Sequence, residues 1–100
     1  MASIRRTVIS AELTDGSILG PERVIFADKL RLEKSARANN WDINRDEFRV
    51  QSFLAFAAFD RTHQLPEGTG YEAFLELLVD LEFVARAGGD EDPTPADTSA

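Results

Sequence analysis

Residues able to carry out catalysis are sparse in this chain and form no known motif. His63 is the only histidine and there is no cysteine, so a transition-metal site lacks its usual nitrogen and sulfur ligands. We interpret His63 as a charge-capable side chain at the C-terminal end of a helix, where the helix dipole favours a cation. No serine lies in a G-x-S-x-G turn, and no glycine-rich phosphate-binding loop is present. The sequence therefore predicts no catalytic residue, no cofactor and no metal, and we do not expect an enzyme.

Three acidic residues at regular spacing are the remaining candidates for chemistry. Glu72, Glu76 and Asp80 carry carboxylates of the kind that bind hard cations. On a helix, however, a spacing of four residues spreads these groups along a line and does not wrap them around an ion. We interpret them as a solvated acidic face.

The segment that carries these acids is predicted to be a helix over residues 70–87. Thr69 followed three residues later by Glu72 is typical of a helix start. Gly88-Gly89 marks its end. Apolar residues recur between these points at helical spacing: Tyr71, Phe74, Leu75, Leu78, Leu81 and Ala85.

On the opposite face of that predicted helix, two apolar side chains lie among the acidic ones. Scattered exposed apolar residues are normal, so the pair is either incidental or covered by the tail or the hairpin. The other interpretation is a protein-binding patch. This candidate binding site consists of Val79, Phe83, Glu72, Glu76 and Asp80.

The rest of the chain is expected to be organised around a central helix over residues 45–64. Its middle two turns, residues 53–59, are apolar nearly all round, so neighbouring elements must cover them. Asn44 followed three residues later by Glu47 predicts a capping box at its start. Pro66 disfavours helix at the residue before it and predicts the stop.

A first helix is predicted over residues 27–40, ending in a left-handed turn at Asn39-Asn40. We interpret Trp41, just beyond it, as a core residue at the helix junction. A nucleic-acid-binding helix would align its basic residues on one face. Here they are spread around the axis: Lys29, Arg31, Lys34 and Arg37. We therefore expect no nucleic-acid partner.

Residues 6–26 are predicted to form a β-hairpin. One face of the first strand carries every second residue: Thr7, Ile9, Ala11 and Leu13. Asp15-Gly16 suits a tight turn with positive φ angles. Because Pro21 in Gly20-Pro21 cannot donate to a sheet, the return strand should be short, bulged or at an edge. A lone hairpin is marginally stable, so one of its faces must lie on the helices.

Length and composition predict one α+β domain over residues 1–87, with an N-terminal β-hairpin followed by a three-helix bundle. Residues 88–100 lack large apolar side chains and predict a disordered acidic tail.

The net charge of −7 is unevenly distributed along the chain. The first fifty residues hold nine Lys/Arg and eight Asp/Glu, while the last fifty hold two and ten. Such an acidic second half argues against a duplex-binding surface there, because Lys and Arg supply most non-specific affinity for nucleic acid. The sequence has no apolar run long enough to span a membrane and no signal peptide, so we expect a soluble protein with no membrane partner.

The order of these elements resembles the tail assembly chaperones of long-tailed, siphovirus-type phages that infect actinobacteria. The resemblance covers residues 7–85. The similar segments are Leu13-Thr14-Asp15-Gly16, Phe26-Ala27-Asp28, Asn40-Trp41, Phe53-Leu54-Ala55-Phe56-Ala57-Ala58 and Tyr71-Glu72-Ala73-Phe74. This chain departs from the family at Gly20-Pro21, where members commonly continue the first strand directly into the second.

The resemblance implies a small non-virion protein of the host cytoplasm that coats the tape measure protein and promotes tail tube assembly. In that family a longer form is often made by a ribosomal frameshift near the end of the short frame, and an acidic C-terminus suits that arrangement. Such a chaperone needs many weak copies of one apolar patch among like charges. A basic first helix and an acidic third helix also predict self-association into oligomers.

Two other functions remain open at this level. A small virion structural or connector protein would stay in the finished particle. A small DNA-binding regulator has less support, because its recognition helix would have to be polar and basic, unlike the central helix.

Overall fold

The computed structural model describes residues 5–87 and shows a small α+β fold built on a three-stranded antiparallel sheet. The elements in chain order are β1 (Arg5–Leu13), β2 (Ile18–Arg23), α1 (Phe26–Asn39), α2 (Glu47–Arg61), α3 (Tyr71–Leu77) and β3 (Leu78–Ala87). The sheet order is β2-β1-β3. The predicted acidic tail at 88–100 lies outside the described residues, and its disorder stays a prediction.

The predicted hairpin is present, and the alternation in β1 is confirmed. Ile9, Ala11 and Leu13 are buried, so this face of the strand lies on the core. Gly16 has a φ of 89°, as a tight turn requires. The Asp15 carboxylate accepts hydrogen bonds from the Ser17 backbone N–H and hydroxyl, and these bonds lower the pKa of Asp15. The turn is therefore fixed locally.

Strand β2 is short, bulged and at an edge of the sheet, as its sequence predicts. It has six residues, and its register with β1 shifts between Ile9 and Ala11. Gly20 has a φ of 90°, and a Cβ atom there would lie 2.5 Å from the Ile9 carbonyl oxygen. The Gln64 side chain accepts a hydrogen bond from the Gly20 N–H at 3.0 Å and donates to Glu22 at 2.8 Å. Only glycine fits at position 20, where the backbones of β1 and β2 approach each other closely.

The predicted third helix over residues 70–87 is correct for residues 71–77 and wrong beyond them. From Leu78 onward the chain is β3, which pairs along the whole length of β1. Residues 80–83 alternate acidic and apolar side chains and so satisfy the strand period as well as the helical one. A third strand gives the marginal hairpin the partner that it lacks. The fold is therefore a three-stranded sheet with helices, and the predicted hairpin with a three-helix bundle is wrong in this part.

Helix α2 forms the centre of the core, as predicted. It occupies residues 47–61 of the predicted 45–64, and residues 55–59 are all buried. Neighbouring aromatic rings pack around it with centroid separations between 5.1 and 6.4 Å. They belong to Trp41, Phe53, Phe56, Phe59, Tyr71 and Phe74. Trp41 packs against this core from the α1–α2 junction, in agreement with its interpretation from sequence.

One face of α1 packs on α2 through residues spaced four apart: Asp28, Leu32 and Ala36 are buried. Asp28 is only 2% exposed. Its carboxylate accepts hydrogen bonds from the Ile25 backbone N–H at 3.0 Å and from Arg61 Nε and Nη2 at 3.0 and 3.1 Å. The hydrogen bond to Asp28 raises the pKa of Arg61. The Asp28 side chain thus caps α1 and joins it to α2.

The helix boundaries test three local predictions. Asn40 ends α1 in the left-handed conformation, with φ at 58°, as predicted. The capping boxes predicted for the next two helices are wrong. Asp46 rather than Asn44 precedes α2, and Gly70 rather than Thr69 precedes α3. Neither helix start has a side-chain capping hydrogen bond, because each helix begins later than its sequence pattern suggests.

Candidate protein-binding groove

An open groove of about 620 Å³ lies between the first turns of α2 and the junction of α3 with β3. We call it the α2–β3 groove. It is lined by Arg45, Asp46, Glu47, Phe48, Arg49, Gln51, Ser52, Tyr71, Leu75, Leu78, Val79, Asp80 and Leu81. Apolar side chains from all three elements contribute to it, so its walls suit an amphipathic partner.

Phe48 is the most exposed large apolar side chain of this groove, at 84%. It shares the α2 face of Phe59, but it lies eleven residues earlier, about 16 Å along the helix axis. Phe59 is fully buried under the sheet. Neighbours therefore cover residues 55–59 in the middle of the central helix, as expected, and leave Phe48 in its first turn exposed.

The groove includes two of the five residues that the sequence singles out. Val79 and Asp80 line it, and Val79 is 55% exposed. Val79 is the extra residue of a β-bulge between the pairs Glu12–Asp80 and Leu13–Leu78. A bulge turns its residue out of the regular alternation, which explains the exposure.

The other three predicted site residues do not line the groove. Phe83 lies opposite Ile9 in the β1–β3 ladder and packs against the core, so it is not an exposed partner of Val79. The helical geometry that placed these two side chains on one outer face is absent from β3. Glu72 and Glu76 are exposed on α3 outside the groove lining.

The floor of the groove is held in place by hydrogen bonds. The Ser52 and Tyr71 hydroxyls lie 2.8 Å apart, and Ser52 also donates to the Arg49 carbonyl at 3.1 Å. The Tyr71 ring packs on Phe53 and Trp41 with centroids 5.1 and 5.6 Å apart. These contacts fix the floor before any partner arrives, which lowers the entropic cost of binding.

Charges of both signs lie at the rim of the groove. On the α2 side, the Arg49 guanidinium lies over the Trp41 ring at 5.2 Å, and Arg45 lies 3.6 Å from Asp42. Asp80 is exposed on the β3 side. A partner helix with charged residues flanking an apolar stripe fits this arrangement.

Phe48, Leu75 and Leu78 line the groove but are not predicted from the sequence as binding residues. Phe48 carries a recognisable signal, because it lies in the first turn of α2, directly after Asp46 and Glu47 and ahead of the apolar core of the helix. Leu75 and Leu78 look like ordinary core positions, and only the end of α3 at Leu77 brings them to the groove.

Among the described residues, His63 and the three acidic residues weighed for chemistry form no metal-binding cluster. His63 is exposed just after α2, with φ at 60°. Within residues 5–87, no group of three His, Asp or Glu side chains is placed to hold a metal ion. Over the same span, no helix combines the length and apolarity needed to cross a bilayer.

No family model, curated protein or solved structure matches this chain.

Proposed function

We propose that the chain is a phage tail assembly chaperone that binds the tape measure protein through the α2–β3 groove and promotes tail tube assembly in the host cytoplasm. The observation that supports this proposal most is the exposed Phe48 ring beside an apolar groove. A large aromatic side chain in water is costly for a free protein and is a typical anchor at a protein interface. The family resemblance supplies the identity of the partner.

The groove suits weak, repeated binding. Burying one large apolar side chain contributes about 1.5–3 kcal/mol. Two anchors, Phe48 and Val79, would together contribute about 3–6 kcal/mol before the cost of association is subtracted, so a single site should bind weakly. Many copies along a long partner would cover its length, and each copy would still be easily released as the tail tube replaces it.

The partner segment is expected to be an amphipathic helix. Its apolar residues at positions i, i+3 or i+4, and i+7 would contact the groove floor. Its acidic side chains would face Arg45 and Arg49, and its basic side chains would face Asp80. The proposal includes a longer, frameshifted form of the chain that carries the same groove.

Co-expression with the tape measure protein of the same gene cluster tests the proposal. Phe48→Glu and Val79→Asp should each reduce the tape measure protein recovered with the chain, and the double variant should abolish recovery. Ile43→Glu is the matched control, because Ile43 is also an exposed apolar residue but lies outside the groove. Circular dichroism should show all variants folded. Undiminished recovery with the folded double variant would refute the groove as the binding site.

Mass spectrometry of purified virions separates the chaperone from a structural component. A chaperone is absent from the finished particle or present only in traces. A fixed copy number in every particle would instead identify a virion structural or connector protein.

A further inference from the structure

Helix α1 has an exposed stripe that the groove does not use. Phe26, Leu30, Lys34 and Arg37 follow one another at helical spacing on the face opposite the buried residues of α1. We call them the α1 stripe. Phe26 is 72% exposed, and Leu30 is exposed beside it. The stripe therefore begins with two apolar side chains and ends with two cations.

The sheet face opposite the helices carries the complementary surface. Ile18, Glu12 and Asp80 lie side by side on β2, β1 and β3, and Glu82 is two residues further along β3. All four are exposed, and they border a shallow depression of about 220 Å³. We call them the outer acidic face. It combines one large apolar side chain with three carboxylates.

Two of these carboxylates oppose each other directly. Glu12 pairs with Asp80 across β1 and β3, and like charges at directly opposite positions destabilise a sheet. Among the described residues, neither one forms a salt bridge with a cationic side chain. Cations supplied by another molecule would relieve this repulsion.

We infer that the α1 stripe of one copy docks on the outer acidic face of a second copy. Phe26 and Leu30 would cover Ile18, and Lys34 and Arg37 would reach the carboxylates. The stripe is about 16 Å long and three strands span about 10 Å, so the long side chains of Lys34 and Arg37 would have to bend back towards the carboxylates. Because the two surfaces differ, contacts are head-to-tail, and assembly continues into rings or filaments. This inference does not depend on the tape measure partner.

Charge reversal on each surface tests the contact without touching the groove. Lys34→Glu/Arg37→Glu alters the stripe, and Glu12→Lys/Glu82→Lys alters the outer face. Each variant should self-associate about tenfold more weakly than the natural protein in sedimentation velocity at low salt. An equimolar mixture of the two variants should co-assemble, because each then offers the surface that the other needs. Association of the natural protein should fall as salt rises.

Glu67→Lys/Glu76→Lys is the matched control, since it reverses two exposed charges outside both surfaces. It should self-associate like the natural protein. A strictly monomeric natural protein at high concentration and low salt would overturn the inference. So would assembly that stops at dimers without forming a ring or filament, or two charge-reversed variants that fail to co-assemble.

Discussion

Replacing Asp28 with alanine should destabilise the fold by about 3–5 kcal/mol, the usual cost of removing one partner from a buried ion pair. The side chain is 2% exposed and accepts three hydrogen bonds, one from the backbone at the start of α1 and two from Arg61. Its loss removes the cap of α1 and leaves the half-buried guanidinium with the Arg23 carbonyl as its remaining partner. Small domains have free energies of unfolding of roughly 5–15 kcal/mol, so this single change removes a large fraction of the stability.

Urea unfolding followed by Trp41 fluorescence measures this effect, because that ring packs against the core. In thermal unfolding, a loss of 1 kcal/mol lowers the melting temperature by about 4–8 °C, so that of Asp28→Ala should fall by at least 10 °C. A double-mutant cycle with Arg61→Ala should give a coupling energy of about 1–3 kcal/mol. The control is Glu33→Ala, which breaks an exposed pair with Arg37 at 3.9 Å and should cost less than about 1 kcal/mol. If Asp28→Ala and Glu33→Ala had equal effects, the structural role assigned to Asp28 would be wrong.

Three further predictions follow from the sheet and the tail. Gly20→Ala should cost about 1–3 kcal/mol, measured by urea unfolding, because its φ is positive and its Cβ would meet the Ile9 carbonyl; a neutral change would contradict that geometry. Phe83→Asp should unfold the domain in circular dichroism, whereas exposed Val79→Asp should stay within about 0.5 kcal/mol of the natural protein; equal effects would refute the assigned orientations. Deleting residues 90–100 should change stability by less than about 0.5 kcal/mol, and a melting temperature several degrees lower would show a docked tail.

The parts of the fold that depend on local sequence patterns are predicted correctly. The alternation of Ile9, Ala11 and Leu13 identifies the inner face of β1, and Asn40 identifies the end of α1. Both features depend on residues adjacent in the chain. The sequence therefore predicts the hairpin and the extent of the first two helices to within a few residues.

Features that depend on distant contacts are not predictable in the same way. Residues 78–85 satisfy helical and strand periods together, and pairing with β1, some seventy residues away in the chain, decides between them. Burial of Asp28 requires Arg61 on another helix, so nothing near Asp28 in the sequence indicates it.

The candidate binding site shows the same division. Val79 and Asp80 line the groove, although the helix proposed to carry them is a strand, and their role in binding stays a prediction. Phe83 turns inward because β3 pairs with β1. Phe48 lies next to acidic residues at the start of α2, a signal that points to exposure, but its place in a groove depends on α3 and β3, which are distant in the sequence.

Hydrogen exchange of the chain, alone and mixed with the proposed tape measure partner, tests the central proposal most directly. Amides at the start of α2 and at the junction of α3 with β3 should become protected on binding, because these segments form the groove. Protection in the Phe48→Glu variant should be lost at the same protein concentrations. Failure to form a complex, or protection confined to segments outside residues 45–52 and 71–81, would contradict the proposal.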